Sequence, residues 1–429
     1  MSDDFEFLQM LENAPNEDER TWLITKQLLD SLSEELRQVA YAVAVPHWFD
    51  AKIVAVLSPE SKRWAGRLYK ELQKLSFVEP FENIGHNVHE LTRRLILDYL
   101  WRERRKNYLE LSSSLANYYN RIITNKRRKI NLDLSYYLEF VYHLLISEQQ
   151  TTADIVRDIG WSWHDQFVDY SYSALNALTL VVREHAEAGR LDNHAKLWGR
   201  FFEGLVASSR YKNQDAIIAF HDVISSKIDD FRLLADSNFC LGNAQQFRDE
   251  RDAALESYNE ALKLYKEIGD RLGEAITHRR RGHLQLASDQ IKDAEISYNS
   301  SLSLCHVIED RLGEAYALRA LGDVSFYYSN FKQARKNYRE AIELFRQVGD
   351  ALGDANSVMS LARLNLIETR NLELAESELN YVVNARQKMK DLVSEGEDYL
   401  GFVAALINLQ MWPEAAIYIS KAKFSKSRI

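Results

Sequence analysis

A repeat of forty residues is the feature that most limits how this chain can fold. Three segments match at that spacing: GDRLGEA from 269, EDRLGEA from 309 and GDALGDA from 349. A glycine column and a tyrosine column keep the same interval; they are Gly242, Gly282 and Gly322, and Tyr258, Tyr298 and Tyr338. So many matches at one interval indicate structural repeats, each of which covers the apolar surface of the next.

Within one unit the pattern predicts two antiparallel helices. From Ala254 to Ile268, apolar residues recur at helical spacing on one face. Gly269 is expected to end this helix in the left-handed conformation, and Asp270 to cap the next helix, which begins at Arg271. Gly282 lies inside that next helix, where glycine costs about 1 kcal/mol relative to alanine. Its recurrence therefore indicates a close approach between the two helices.

These helix pairs resemble tetratricopeptide repeats. The Leu-Gly pairs at 241–242 and 321–322 are similar to the signature of the first helix of that repeat, and Ala294 with Tyr298 to that of the second. The usual unit is shorter, about 34 residues, and the extra residues here carry the linker motif. The longer form is similar to repeats of kinesin light chains, of polarity adaptors that bind spindle proteins and of bacterial sensor proteins. The resemblance implies an all-α solenoid that binds protein or peptide.

Composition limits the classes of partner and compartment. The net charge of −9 provides no general attraction to nucleic acid or anionic lipid. No apolar run approaches the roughly 18 residues of a membrane span, and the acidic N-terminus does not resemble a secretory signal. Cys240 and Cys305 are interpreted as buried thiols of a reducing compartment. We therefore expect a cytoplasmic protein with no membrane association.

The chain is predicted to have five segments and an all-α fold, in which a winged-helix-like domain precedes an α-α superhelical solenoid. The segments are an acidic lead (1–21), the winged-helix-like domain (22–125), bridging helices with a degenerate repeat (126–230), the solenoid of tetratricopeptide-like repeats (231–424) and a tail (425–429).

The predicted winged-helix-like domain contains three short helices and a hairpin. The third helix is expected to begin at Ser58-Pro59-Glu60 and to turn Trp64, Leu68 and Leu72 inward. Residues 77–81 are expected to pair with 86–88.

This order of elements, followed by Val88-His89-Glu90, resembles the winged-helix segment of signal-transduction NTPases of the apoptotic-ATPase type. In that family a Met-His-Asp motif lies here, and its histidine senses the phosphate of the nucleotide. His89 matches that histidine, but its neighbours differ and no phosphate-binding P-loop occurs in the chain. We therefore expect His89 to fix the hairpin to the next helix, and an NTPase subunit on a separate chain is one candidate partner.

The basic residues of this domain leave a second function open. The third helix carries Lys62, Arg63, Arg67 and Lys70, and further basic residues lie at 93–106 and 126–129. Acidic residues alternate with them, which is typical of a solvated helix face. The alternative is a DNA-binding transcription regulator whose repeats form a sensor domain.

Catalytic and metal-binding motifs of the common kinds are absent from the sequence. We therefore expect no enzymatic activity, no metal and no cofactor. A dense group of aromatic residues is interpreted as core packing between bridging helices; it comprises Trp161, Trp163, Phe167, Tyr170 and Tyr172.

The candidate binding surface is the concave wall formed by the first helix of each unit. Residues three before and one after the glycine column are expected to face it, together with some neighbours. The candidates are Phe239, Asn243, Ile276, Arg279, Arg280, His283, Tyr316, Arg319, Asp323, Phe326, Met359 and Arg363.

Three of these candidates, Asn243, Arg279 and Arg319, partly resemble the set with which some tetratricopeptide domains clamp a peptide carboxylate. They predict a basic stripe that prefers an acidic or C-terminal peptide segment. The alternative is that neighbouring carboxylates already neutralise the arginines.

Overall fold

The structure is a computed structural model that describes residues 2–81, 84–124, 134–166 and 173–426. The chain divides into two compact units, residues 1–212 and 213–429. Within the described ranges, helices form nearly all of the regular structure, and each helix is too short or too polar to cross a bilayer. The all-α fold class predicted from the sequence is confirmed.

Unit 1 contains eleven α-helices and one hairpin within its described residues. The helices are α1 (Ser2–Asn13), α2 (Glu17–Asp30), α3 (Glu34–Ala42), α4 (Ala51–Leu57), α5 (Ala65–Leu72), α6 (Glu90–Glu103), α7 (Arg105–Thr124), α8 (Leu134–Ser147), α9 (Thr152–Gln166), α10 (Ser173–Glu187) and α11 (Asn193–Ser209). Strands β1 (Val78–Phe81) and β2 (Gly85–Val88) pair antiparallel, with Val78 opposite Val88. The predicted order of three helices and a hairpin is therefore present.

The third helix of that group begins later than expected. A 3-10 turn from Lys62 to Trp64 precedes α5, so the regular helix starts at Ala65. Because a 3-10 turn rotates each residue further than an α-helix does, Trp64 turns outward and is 59% exposed, while Leu68 and Leu72 are buried. The inward orientation predicted for Trp64 is wrong.

A hydrogen-bonded ionic network of buried and half-buried residues joins α6, α8 and α10 in unit 1. The carboxylate of Glu139 on α8 lies 2.6 Å from Nδ1 of His47. On α10, the Glu184 carboxylate accepts a 3.0 Å hydrogen bond from Arg93 and one of the same length from the Tyr142 hydroxyl. It also lies 3.3 Å from Nε2 of His47. Removing one partner from such a network leaves an uncompensated charge, so these ions fix the packing of α6, α8 and α10.

The network changes the proton affinity of its members. Burial and the neighbouring Arg93 would lower the pKa of His47, but the carboxylates of Glu139 and Glu184 outweigh them and raise it. Burial would raise the pKa of Glu139, yet His47 and His143 hold it well below its usual range. The protonated imidazole of His47 is therefore stabilised by folding.

Unit 2 is a succession of helices without a strand among its described residues. They are α12 (Asn213–Ser225), α13 (Phe231–Phe247), α14 (Arg251–Ile268), α15 (Arg271–Ala287), α16 (Ile291–Val307), α17 (Arg311–Tyr327), α18 (Phe331–Val348), α19 (Ala351–Thr369), α20 (Leu372–Met389), α21 (Leu392–Asn408) and α22 (Trp412–Lys426). From α13 onward they form antiparallel pairs, and each pair packs on the next.

The turns between pairs follow the sequence prediction. Gly269 ends α14 with a left-handed φ of +72°, and the Asp270 carboxylate accepts a 2.9 Å hydrogen bond from the N–H of Gly273. Gly349 is also left-handed, at φ +78°. At the middle turn Glu309 adopts φ +58°, which a side chain disfavours. The repeat pattern therefore maintains the turn even where glycine is absent.

The glycine column marks where a tyrosine ring crosses its partner helix. A Cβ atom on Gly242 would lie 2.7 Å from the Tyr258 ring, and one on Gly322 would lie 2.5 Å from the Tyr338 ring. Gly282 meets the ring of Tyr298 in the same way, at 2.6 Å. These distances are shorter than carbon–carbon contact allows, so only glycine fits. The predicted close approach of the two helices is confirmed.

Replacing Gly322 by alanine should destabilise unit 2. The new methyl group would press on a tyrosine ring that is almost fully buried. Overpacking of this kind costs about 1–3 kcal/mol, against the roughly 1 kcal/mol that alanine gains over glycine in a helix. We expect a net loss of up to about 2 kcal/mol in chemical unfolding followed by circular dichroism.

The matched control for Gly322→Ala is Gly401→Ala on α21. Its nearest neighbour to an added Cβ is Met359 Cε at 3.9 Å, an ordinary contact. That variant should be neutral or more stable by up to about 1 kcal/mol. Equal effects of the two substitutions would contradict the crossing argument.

Replacing His47 by glutamine should destabilise unit 1 most at acidic pH. A group whose pKa is raised by folding stabilises the protein below its unfolded value of 6.5, and this contribution disappears as the pH rises through the folded value. Unfolding free energies of both proteins between about pH 5.5 and pH 9 should therefore converge as the pH increases. The control His89→Gln removes an exposed imidazole and should show no such convergence.

Candidate functional site

The candidate residues lie on the first helices of four successive pairs: α13, α15, α17 and α19. Arg280 and Arg363 are exposed, and most of the others are half-buried. Met359 differs because it is only 7% exposed and belongs to the core formed by the last helix pairs. Helix α19 packs against both α20 and α21, which covers the side that Met359 occupies. Met359 is therefore not part of an accessible wall.

Two aromatic candidates contribute to packing between helices. The Phe239 ring lies 6.2 Å from the ring of Tyr258, and Phe326 lies 5.9 Å from Phe331. Both are half-buried, so only part of each ring could contact a ligand. Their main contribution is to the apolar interior of unit 2.

Arg279 is a half-buried cation that an aromatic ring contacts and no carboxylate pairs with among the described residues. Its guanidinium lies 4.9 Å from the ring centroid of Tyr316, and the Tyr316 hydroxyl donates a 2.7 Å hydrogen bond to Asp350. Across the described part of the chain, Arg279 forms no ion pair. Burial and the neighbouring charges of Arg280 and Arg319 lower the pKa of Arg279 to about 10, which still leaves it charged near neutral pH.

Arg319 is neutralised in part. Its guanidinium donates a 3.3 Å hydrogen bond to the carboxylate of Asp323, which also accepts a 2.8 Å hydrogen bond from the Tyr338 hydroxyl. The Nε–H group of Arg319 is buried and has no hydrogen-bond partner. The alternative that carboxylates neutralise the stripe thus applies to Arg319 and not to Arg279.

The two remaining polar candidates next to the glycine column are neutral groups. Nδ1 of His283 lies 3.0 Å from the Tyr298 hydroxyl, and Oδ1 of Asn243 lies 2.9 Å from the Tyr258 hydroxyl. Burial, followed by the positive charge of Arg279, lowers the pKa of His283 to about 3. Its imidazole is therefore uncharged near neutral pH.

A cavity of about 720 Å³ opens beside Arg279, between α15, α16 and α17. Its lining is mainly apolar and includes Leu272, Ile276, Ile308, Leu312 and Tyr316. A guanidinium on the wall of an apolar cavity can bind a ligand that joins an apolar group to an anion. Burial raises the pKa of the Cys305 thiol on this lining to about 11, so the thiol is protonated near neutral pH.

Three residues that line this cavity, Ile276, Arg279 and Tyr316, were predicted from the sequence to face the concave wall, whereas Leu272 and Leu312 were not among the candidates. Leu272 is 48% exposed and Leu312 is 41% exposed, although both are apolar. Their position in the repeated linker was visible in the sequence. The repeat does not show that these leucines are exposed, and their exposure is what makes them candidates for ligand contact.

His89 and two of the arginines that suggested a basic patch have contacts within unit 1. The imidazole of His89 is exposed, and its backbone N–H donates a 2.8 Å hydrogen bond to Phe77, which links the hairpin to α6. Arg94 pairs with Asp18 at 2.9 Å, and Arg105 lies 4.1 Å from the Trp101 ring centroid. The basic run at 126–129 is outside the described residues.

The aromatic group between the bridging helices is core packing as far as it is described. Trp161 lies 5.6 Å from Phe201 and 5.9 Å from Phe202, and Trp163 is buried. The remaining members, Phe167, Tyr170 and Tyr172, are outside the described residues.

Known proteins resemble this chain in its fold. A family profile described as SHNi-TPR matches residues 315–351, and no curated protein sequence matches. A Signal Transduction ATPase with Numerous Domains (STAND) protein with a tetratricopeptide repeat sensor, from Pyrococcus horikoshii, has a similar structure. The TM-score is 0.54 at 13% identity, over 93% of this chain and 57% of that protein, so this chain spans little more than half of its length.

Two shorter proteins match over nearly their whole length. Aspartyl phosphate phosphatase F from Bacillus subtilis has a TM-score of 0.53 at 12% identity, covering 92% of this chain and 95% of that one. A plasmid Rap conjugation gene regulator, solved in complex with the Phr* peptide, has a TM-score of 0.50 at 10% identity, covering 91% and 96%. Together with the profile match, these likenesses show that the chain has the helical-repeat fold of tetratricopeptide-repeat proteins.

Proposed function

We propose that this chain is a non-enzymatic adaptor or sensor arm that captures an acidic or C-terminal peptide segment on the first helices of its repeats. The observation that carries the proposal is Arg279, a half-buried cation without a carboxylate partner, stacked on Tyr316 beside an apolar cavity. Holding a desolvated guanidinium unpaired disfavours the free protein, and an incoming carboxylate would relieve that cost.

The similar folds are in keeping with this proposal. One of them was solved in complex with a peptide, and another contains a tetratricopeptide repeat sensor. A peptide segment of a protein is therefore the partner class that we propose. An NTPase subunit on a separate chain is one specific candidate, because the sensor in the second of these proteins belongs to an ATPase.

Reversing two charges, Arg279→Glu with Arg319→Glu, should abolish peptide capture. The probe is an array of peptides of about 15 residues that vary in acidic content and end in either a free carboxylate or an amide. Wild-type protein should prefer acidic peptides or the free carboxylate, and the double variant should lose at least about tenfold in affinity, since like charges would now face each other.

The control for this pair is Lys332→Glu with Arg339→Glu on α18, a second helix of the repeat. Both side chains are exposed and the change in net charge is identical. The control should retain wild-type affinity by fluorescence anisotropy. Unchanged binding by the Arg279 and Arg319 variant would refute the site.

An exposed basic surface on unit 1 favours a second candidate, DNA binding. Trp64 is exposed beside Lys62, Arg63 and Arg67. Considering only described residues, these three cations form no ion pair. Unpaired cations around an exposed aromatic ring suit a phosphate backbone and a base or sugar face.

If DNA is the partner, full-length protein should retard a duplex in a salt-dependent way. Arg67→Ala should then reduce the slope of log affinity against log salt by about one. Arg121→Ala, which removes an exposed arginine from α7, is the control and should leave the slope unchanged. Absence of any retardation at low salt would reject this candidate.

A further inference from the structure

The tyrosine column does more than fill space between helices. Each ring crosses the first helix of its pair at the glycine, and its hydroxyl then reaches the residue that follows that glycine. The Tyr338 hydroxyl lies 2.8 Å from Oδ1 of Asp323, and the Tyr298 hydroxyl lies 3.0 Å from Nδ1 of His283. The Tyr258 hydroxyl lies 2.9 Å from Oδ1 of Asn243 and equally far from Gln246.

The three partners are chemically different, although the tyrosine is the same. An amide, an imidazole and a carboxylate occupy one position of successive repeats, and all three were candidates for ligand contact. The buried tyrosine is thus the same in each repeat, while the residue that its hydroxyl contacts differs. This is the pattern expected where a scaffold orients recognition residues.

The fourth unit provides an internal comparison. Ala362 occupies the glycine position on α19, and Glu378 occupies the tyrosine position on α20. Glu378 accepts hydrogen bonds of 2.8 and 2.9 Å from Asn365, and the residue after Ala362, Arg363, is exposed. The fourth unit therefore lacks all three features: the glycine, the tyrosine and a hydrogen-bonded residue after the glycine. Their joint absence is expected if the tyrosine ring needs the glycine in order to reach that residue.

We propose that Tyr258, Tyr298 and Tyr338 are positioning residues of the candidate concave wall: two of their hydroxyls orient Asn243 and His283 for a ligand, and the third holds Asp323 next to Arg319. The positioning role rests on the proposed function, because it presupposes that a peptide binds here. The hydrogen bonds themselves are present without a ligand. A side chain restrained before binding loses less conformational entropy when it binds.

The direction of the hydrogen bond at His283 follows from the column. The Asp323 carboxylate can only accept, so Tyr338 donates to it. If Tyr298 donates in the same sense, Nδ1 of His283 accepts and Nε2 carries the proton. The imidazole then offers an N–H donor in the neighbourhood of Arg279 and Arg319, and all three groups would suit an anionic ligand.

The third contact acts on the arginine stripe through Asp323. This carboxylate is held by the Tyr338 hydroxyl and by Arg319, and Ser360 lies 3.5 Å away. By orienting Asp323, Tyr338 determines how much of the Arg319 charge is neutralised. Arg279 then remains the stronger anion site of the two.

The test is Tyr298→Phe, which removes one oxygen and keeps the ring that fills the notch at Gly282. Full-length protein labelled with nitrogen-15 histidine reports the tautomer, and His283→Gln identifies the signal. In wild type we expect a protonated Nε2 and an accepting Nδ1; in Tyr298→Phe we expect a mixture of the two tautomers. A protonated Nδ1 in wild type, or no change in the variant, would overturn the proposal.

The matched control is Tyr265→Phe on α14. Its hydroxyl donates a 2.7 Å hydrogen bond to Asp236, a buried carboxylate outside the candidate set. This variant loses a comparable buried hydrogen bond but should leave the His283 spectrum as in wild type. A change of tautomer in both variants would mean that general loosening, rather than the Tyr298 hydroxyl, controls the imidazole, and would reject the positioning role.

Binding to the acidic peptide probes separates the positioning role from the proposed function. Tyr298→Phe should weaken probe binding by about fivefold, the effect of one typical hydrogen bond. If the tautomer responds but wild type binds no probe, the positioning role stands and the proposed function fails. If wild type binds the probes and Tyr298→Phe changes neither tautomer nor affinity, the positioning role fails alone.

Discussion

The crossing of a tyrosine ring over a glycine is the contact on which the repeats of unit 2 depend. A Cβ atom on Gly282 would lie 2.6 Å from the ring of Tyr298, so any side chain at this position would push the ring and its helix away. Glycine destabilises the helix relative to alanine, and burial of a large aromatic ring offsets this cost. The crossing recurs at Gly242, Gly282 and Gly322, so the three helix pairs that contain these glycines share this contact.

The same contact connects the interior with the candidate groove. A tyrosine hydroxyl can reach a residue on the first helix only because its ring passes the backbone at the glycine. The repeated packing thus restrains side chains such as His283 and Asp323, which differ from repeat to repeat. Arg279, by contrast, pairs with no carboxylate among the described residues, and its guanidinium lies over the ring of Tyr316. Under the proposed function, helix packing and ligand recognition are assigned to different positions of one motif.

Unit 1 is organised by different forces. Its interior contains ions as well as apolar side chains, and Arg93 and Glu184 bring together helices far apart in sequence. Such a network is invisible to periodicity, because each member looks like an ordinary surface residue. The sequence therefore placed Arg93 among surface basic residues, although it is largely buried. Trp64 shows the opposite error, since a single 3-10 turn moved an aromatic residue from the expected core to the surface.

The sequence alone determined the repeat, the pairing of helices, the turn at Gly269 and the helix that carries each candidate residue. These are local or periodic properties. Because the pattern recurs every forty residues, an assignment in one unit supports the same assignment in the others. Only the tertiary structure decided which candidates are accessible, as the burial of Met359 by α21 illustrates. It also decided which arginine lacks a carboxylate, because pairing depends on side chains from neighbouring helices whose approach no local pattern encodes.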